Sequence, residues 1–125
     1  MPQITIEYTE NLRGNFSGLN LFSELHQCIH QTTGIQIENC KSRATRLDDY
    51  FIGEGGNNKA FVHVAMDILE GRPSSVIVDL GQNVLEMLKK KLVSENEKLE
   101  LQITVQIGEM KRKNYFKYPE GTLTI

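Results

Sequence analysis

Two strand–helix–strand units in tandem predict an α/β domain: a βαβ–βαβ pseudo-repeat with a four-stranded sheet and two helices on one face. Three observations carry that expectation. Residues Gln3 to Tyr8 and Leu99 to Ile107 alternate apolar and polar side chains, as half-buried strands do. Two other stretches, Ser17 to Thr33 and Pro73 to Lys91, repeat their apolar residues at helical spacing. A glycine-rich connection then divides two halves of similar plan, about 1–52 and 59–110, with a tail at 111–125.

The first strand, Gln3-Ile4-Thr5-Ile6-Glu7-Tyr8, opens directly behind Met1-Pro2. In the helix that follows, Phe22, Leu25 and Ile29 share a face and Gly34 supplies the stop. From Ile37 to about Leu47 the chain reads as extended. A period of two sets Cys40, Ser42 and Ala44 on one side and Lys41, Arg43 and Thr45 on the other. Asp48 to Lys59, with Gly53, Gly55, Gly56, Asn57 and Asn58, reads as a turn or hairpin tip, too poor in pattern for a phosphate loop. A third strand runs from Ala60 to Ile68 with Val62, Val64, Met66 and Ile68 on one face. Gly71-Arg72 turns the corner into a helix begun by Pro73 and Ser74, where proline has no N–H to lose. Ile77, Leu80, Gly81, Val84 and Leu88 make its apolar stripe. Lys89, Lys90 and Lys91 suit the negative pole of the helix dipole and read as a solvated helix end. Leu99, Leu101, Ile103, Val105 and Ile107 define the fourth strand. Within each half, a right-handed crossover with parallel strands is expected.

The 125 residues suffice for one domain with a single core. A hydrophobic content of 39% and a net charge of -2 exclude a disordered chain and a surface built throughout for nucleic acid, so any anion site must be local. No apolar stretch approaches the ~18 residues of a membrane span, and no basic-then-apolar leader stands at the start. The expected compartment is the cytoplasm. Cys28 and Cys40 fall on different elements without metal spacing and read as small reduced core residues.

Pro2 is the most informative candidate. Initiator methionine is commonly trimmed before a small residue, which would leave proline as a free secondary amine. An α-amino group titrates near ~7.7–8.0, and nearby cations or apolar walls disfavour its protonated form, so it can serve as a general base. Proline there also suits a plain extended start with φ fixed. Lys41, Arg43 and Arg72 are the cations that could draw acidic ligands through charge-assisted hydrogen bonds; the first two also suit an exposed strand face, the third a surface turn. His26 and His30 have the i, i+4 spacing of a metal pair, but no third ligand is close in sequence, so they read as a polar helix face. His63 could face a site or a neighbouring subunit. The tail Lys111-Arg112-Lys113-Asn114-Tyr115-Phe116-Lys117-Tyr118 interleaves basic and aromatic residues, as single-strand nucleic-acid binders do.

Several pieces, in this order, resemble the 5-carboxymethyl-2-hydroxymuconate isomerase family of the tautomerase superfamily over essentially the full length. They are Met1-Pro2, Thr33-Gly34-Ile35, Ser42-Arg43, Ala60-Phe61-Val62-His63, Gly71-Arg72 and Phe116-Lys117. The resemblance implies a homotrimer and a cofactor-independent, metal-free 1,3-proton shift between enol and ketone. It makes Pro2 the base and Arg72 a carboxylate ligand. Lys41 falls where better-known relatives carry arginine, keeping the charge without the planar fork. Arg43, Phe116 and His63 complete the expected substrate-binding set, with Phe116 the aromatic wall, and the tail packs on an adjacent subunit in place of nucleic acid. The implied substrate is a small acidic enol or dicarboxylate of aromatic-compound catabolism. The alternatives are a tautomerase for another 2-hydroxy or 2-oxo acid and a non-catalytic trimeric binding protein of the same fold.

Overall fold

The structure, a computed structural model, describes residues 2–12 and 19–119. Its elements are β1 (Gln3–Thr9), α1 (Leu19–Thr33), β2 (Lys41–Leu47), β3 (Lys59–Leu69), α2 (Ser74–Leu92) and β4 (Glu100–Met110), with 3₁₀ turns at Ile37–Asn39, Ser94–Asn96 and Arg112–Asn114. The sheet order is β2-β1-β3-β4. β1 runs parallel to β2 and β3 parallel to β4, as expected of two βαβ units, and the halves join through the antiparallel pair β1 and β3.

Alternation decides which face is covered. Ile4 and Ile6 of β1 and Val62, Val64, Met66 and Ile68 of β3 are buried against the helices. Leu21, Leu25 and Ile29 of α1 and Leu80, Val84, Leu88 and Leu92 of α2 meet them, each set recurring every fourth residue. Each such side chain contributes about 1.5–3 kcal/mol when fully buried. The other sheet face carries Gln3, Thr5 and Glu7 beside Lys41, Arg43 and Thr45, then His63 and Asp67, then Gln102, Thr104 and Gln106. Across the helices, the Lys91 ammonium pairs with the Glu24 carboxylate.

Four expectations need correction. Ile37–Asn39 is a 3₁₀ turn and not strand, because Asn39 and Cys40 donate back to Gln36 and Ile37 before the chain extends. Asp48 to Lys59 is not a hairpin tip: β2 and β3 are not neighbours, so this connection passes the end of β1 between them. Pro73 stands outside α2 at its N-cap, with extended ψ of 149°, and its carbonyl accepts from Val76 and Ile77. In α1 the half-buried Phe22 gives its expected core place to Leu21. The start of the expected first helix, at 17–18, lies outside the described residues. Gly34 closes α1 as expected, with φ of +79° and its N–H on the His30 carbonyl. No helix among the described residues is long and apolar enough to cross a membrane.

Candidate active site

Topology gathers the chemistry at one end of the sheet. Because β1 is antiparallel to β3, the head of β1 lies beside the tail of β3; parallel pairing then brings the head of β2 and the tail of β4 to the same end. The corner 70–73 and the segment after Met110 start there. Pro2 is buried at the head of β1, and its carbonyl accepts from the Lys41 N–H at 3.2 Å. Lys41 itself is exposed, with Nζ donating to the Asn39 carbonyl at 3.2 Å.

The corner is built on glycine. Gly71 has φ of +119°, a conformation that a residue with Cβ rarely adopts. It turns the chain so that half-buried Arg72 folds back and donates to the Leu69 carbonyl at 3.3 Å. Arg112 closes over the same corner, its Nε donating to the Glu70 carbonyl at 3.2 Å and its backbone N–H to the Glu70 carboxylate at 2.9 Å. Burial, and then the charge of Arg112, lower the pKa of the Arg72 guanidinium, which still remains a cation at neutral pH.

A side-chain chain crosses the sheet beside Pro2. The Arg43 guanidinium donates to Gln3 Oε1 at 2.7 Å, and Gln3 Nε2 donates to the Tyr115 hydroxyl at 3.1 Å. Thus Pro2, Lys41, Arg43 and Arg72 lie at one end of the sheet. His63 does not join them within a protomer: it pairs across from Glu7, four residues along β1 from Gln3, or roughly 13 Å at strand rise, and its Nδ1 bonds Thr104 Oγ1 at 2.6 Å. Phe116 follows Tyr115 but is 87% exposed, so in one protomer it walls nothing. Sequence reasoning missed Gln3, Tyr115, Arg112 and Glu70. Only Gln3 left a signal, since period two sets it on the face of Lys41 and Arg43 once the strands are paired.

The two helix histidines have neighbours of their own. His26 Nε2 bonds Ser42 Oγ at 2.7 Å, tying α1 to β2, and His30 Nδ1 bonds the Ile35 carbonyl at 2.8 Å. No group of three His, Cys, Asp or Glu among the described residues is placed to hold a metal. Three surface clefts of about 380–480 Å³ lie around α1, α2 and the turn before β4, and none is lined by Pro2, Lys41 or Arg72. At the end carrying Pro2, Lys41 and Arg43 are exposed and Arg72 is half-buried.

Comparisons with known proteins bear on the family and the fold. The family model for 5-carboxymethyl-2-hydroxymuconate isomerase matches residues 2–120. A curated relative, 5-carboxymethyl-2-hydroxymuconate Delta-isomerase of Escherichia coli, is 23% identical over 117 residues, spanning 94% of this chain and 93% of its own length. Among solved structures, a 5-carboxymethyl-2-hydroxymuconate isomerase from Deinococcus radiodurans R1 has a TM-score of 0.83 at 24% identity, covering 98% of this chain and 90% of that one. A fused 4-OT, solved as a symmetric trimer, has a TM-score of 0.70 at 13% identity over 96% of this chain and 94% of its own. At such identities the solved structures establish the fold, which is that of the tautomerases. With the family model matched over nearly the whole sequence, the chain belongs to the 5-carboxymethyl-2-hydroxymuconate isomerase family and is an isomerase.

Proposed function

We propose that this isomerase catalyses a cofactor-independent 1,3-proton shift in a small unsaturated 2-hydroxy acid carrying further carboxylates, with the amine of Pro2 as base. The observation that carries the reading is the buried Pro2 at the head of β1, at the sheet end that also holds Lys41, Arg43 and Arg72. Once Met1 is removed, the amine takes the proton of the substrate hydroxyl. The electron pair left on oxygen forms the carbonyl, the double bond shifts, and the ammonium returns a proton to carbon. One rigid group can do both steps if the two substrate atoms come within hydrogen-bond reach. Arg72 and Lys41 hold carboxylates, and their charge keeps the amine unprotonated near neutral pH.

The working unit in this reading is a homotrimer. A similar fold solved as a symmetric trimer supports it, as do the exposed Phe116 and Tyr118 beside an end that a single protomer leaves open. Neighbouring subunits would then give Phe116, and His63 on the polar sheet face, their partners. Free Cys28 and Cys40 fit a reducing cytoplasm, where the reaction would serve the breakdown of aromatic compounds. A second reading, a tautomerase for a different 2-hydroxy or 2-oxo acid, is favoured by Lys41 alone. The test is the ultraviolet decay of 5-carboxymethyl-2-hydroxymuconate and of a panel of other enol acids, using protein whose intact mass shows Met1 absent. Fastest conversion of the first supports the main reading, faster conversion of another enol supports the second, and conversion of none rejects both.

A further inference from the structure

We propose that Gln3 is a positioning residue for the proline base, acting through a clamp in which Arg43 and Tyr115 hold its carboxamide. This deepens the proposed function and rests on Pro2 being the base. A chain terminus frays unless it is tied down, and a base that must reach two substrate atoms cannot wander. In the mature chain the proline ring turns relative to the strand about one soft torsion, the Cα–C bond of Pro2. The peptide plane beyond that bond is gripped on one side by the Lys41 N–H on the Pro2 carbonyl at 3.2 Å.

Its other side is Gln3. The Arg43 guanidinium is a donor only, so the group facing it at 2.7 Å is the carboxamide oxygen, and the NH₂ must then face Tyr115 at 3.1 Å. The amide thus has one orientation, set from β2 on one side and from the tail on the other. Three segments far apart in sequence meet on the residue next to the base: residue 43 lies 40 positions away and residue 115 lies 112 positions away. Arg43 directs one of its N–H donors at Gln3, which gives it a route to the reaction through the base that is separate from any grip on substrate.

The two roles separate kinetically. Met1-free wild type, Gln3→Leu, Gln3→Glu, Tyr115→Phe and Arg43→Ala would be assayed on a tricarboxylate enol, 5-carboxymethyl-2-hydroxymuconate, and a monocarboxylate enol, phenylenolpyruvate, with kcat taken on the plateau of the pH profile. The clamp predicts that Gln3→Leu lowers kcat roughly 10- to 100-fold on both substrates, with KM within about threefold, as expected when a reacting group is misplaced. Gln3→Glu still accepts from Arg43, and the tyrosine hydroxyl, which accepts from Gln3, can turn to donate to the carboxylate, so this variant should restore most of the rate. Tyr115→Phe, which removes one bond without changing packing, should fall between, and Arg43→Ala joined to Gln3→Leu should add little to Gln3→Leu alone. A wild-type kcat in Gln3→Leu, a loss that Gln3→Glu does not recover, or an Arg43→Ala defect confined to KM for the tricarboxylate would overturn the clamp while the proline base stands. An inactive Met1-free wild type would instead remove the base, and the clamp with it.

Discussion

Lys41 donates its backbone N–H to the Pro2 carbonyl, while its side-chain ammonium carries the charge without the planar fork of arginine, a difference that bears on which acids the proposed site would favour. If Arg72 grips a substrate carboxylate, Arg72→Ala should weaken kcat/KM for a dicarboxylate enol by about 1.5–3 kcal/mol, the range for hydrogen bonds to charged groups. A monocarboxylate enol oriented without Arg72 should lose much less, so equal losses would assign the arginine to the corner and not to the ligand. Lys41→Arg should be tolerated or should shift preference among acids. His26 tests another residue-level feature. Burial lowers its pKa from the ordinary 6.5, so as pH falls through that value the unfolded chain takes up a proton that the folded chain resists. Stability should therefore drop with acidification below about pH 6.5, and His26→Gln should flatten that part of the urea-midpoint profile. Burial likewise raises the thiol pKa of Cys28 and Cys40, which favours the unreactive thiol; Cys40 is the core residue expected, while Cys28 is half-buried against the core. Pro2, Lys41 and Arg72 could be proposed from the sequence because each matched a family motif or a strand period. Tyr115 and Arg112 were not, since an irregular tail has no period from which to read a direction.

At the scale of elements, the corner between β3 and α2 links folding to the site. Gly71 adopts a φ of +119° that lets Arg72 fold back on Leu69, with the Arg112 guanidinium 3.8 Å from where a Cβ would stand. Gly71→Ala should cost about 1–3 kcal/mol in urea unfolding from backbone strain alone. It should also lower kcat/KM for the dicarboxylate as Arg72 shifts, and unchanged kinetics would separate the corner from the site. The strands and helices were legible because burial imposes period two or a spacing of three to four on long runs. The segment Ile37–Asn39 was not: its local 3₁₀ hydrogen bonds leave no mark in a three-residue pattern. The connection after β2 misled for a topological reason. Glycines and asparagines mark a turn in the chain, but they carry no information on which strand lies beyond it, and here β1 lies between.

In the proposed trimer, three protomers surround sites that one protomer leaves incomplete. The uncovered sheet face is mostly polar, with Thr5, Glu7, Gln102, Thr104 and Gln106 around Phe61 and Ala65, so among the described residues no large apolar area on it calls for a trimer. Sedimentation equilibrium at micromolar concentration should return three times the 14.2 kDa chain mass. A monomer would remove the shared site and the wall role of Phe116. In the proposed chemistry a single amine carries the proton, and one matched pair of proteins tests this. The chain freed of Met1, verified by intact mass, should convert the enol, with activity lost as pH falls through an amine pKa below the usual ~7.7–8.0. The same chain with Met1 retained carries an amide nitrogen at Pro2 that cannot take a proton at neutral pH. Its kcat should be lower by about 10²–10⁴-fold, the range for losing a general base. Equal rates for the two forms would contradict the account.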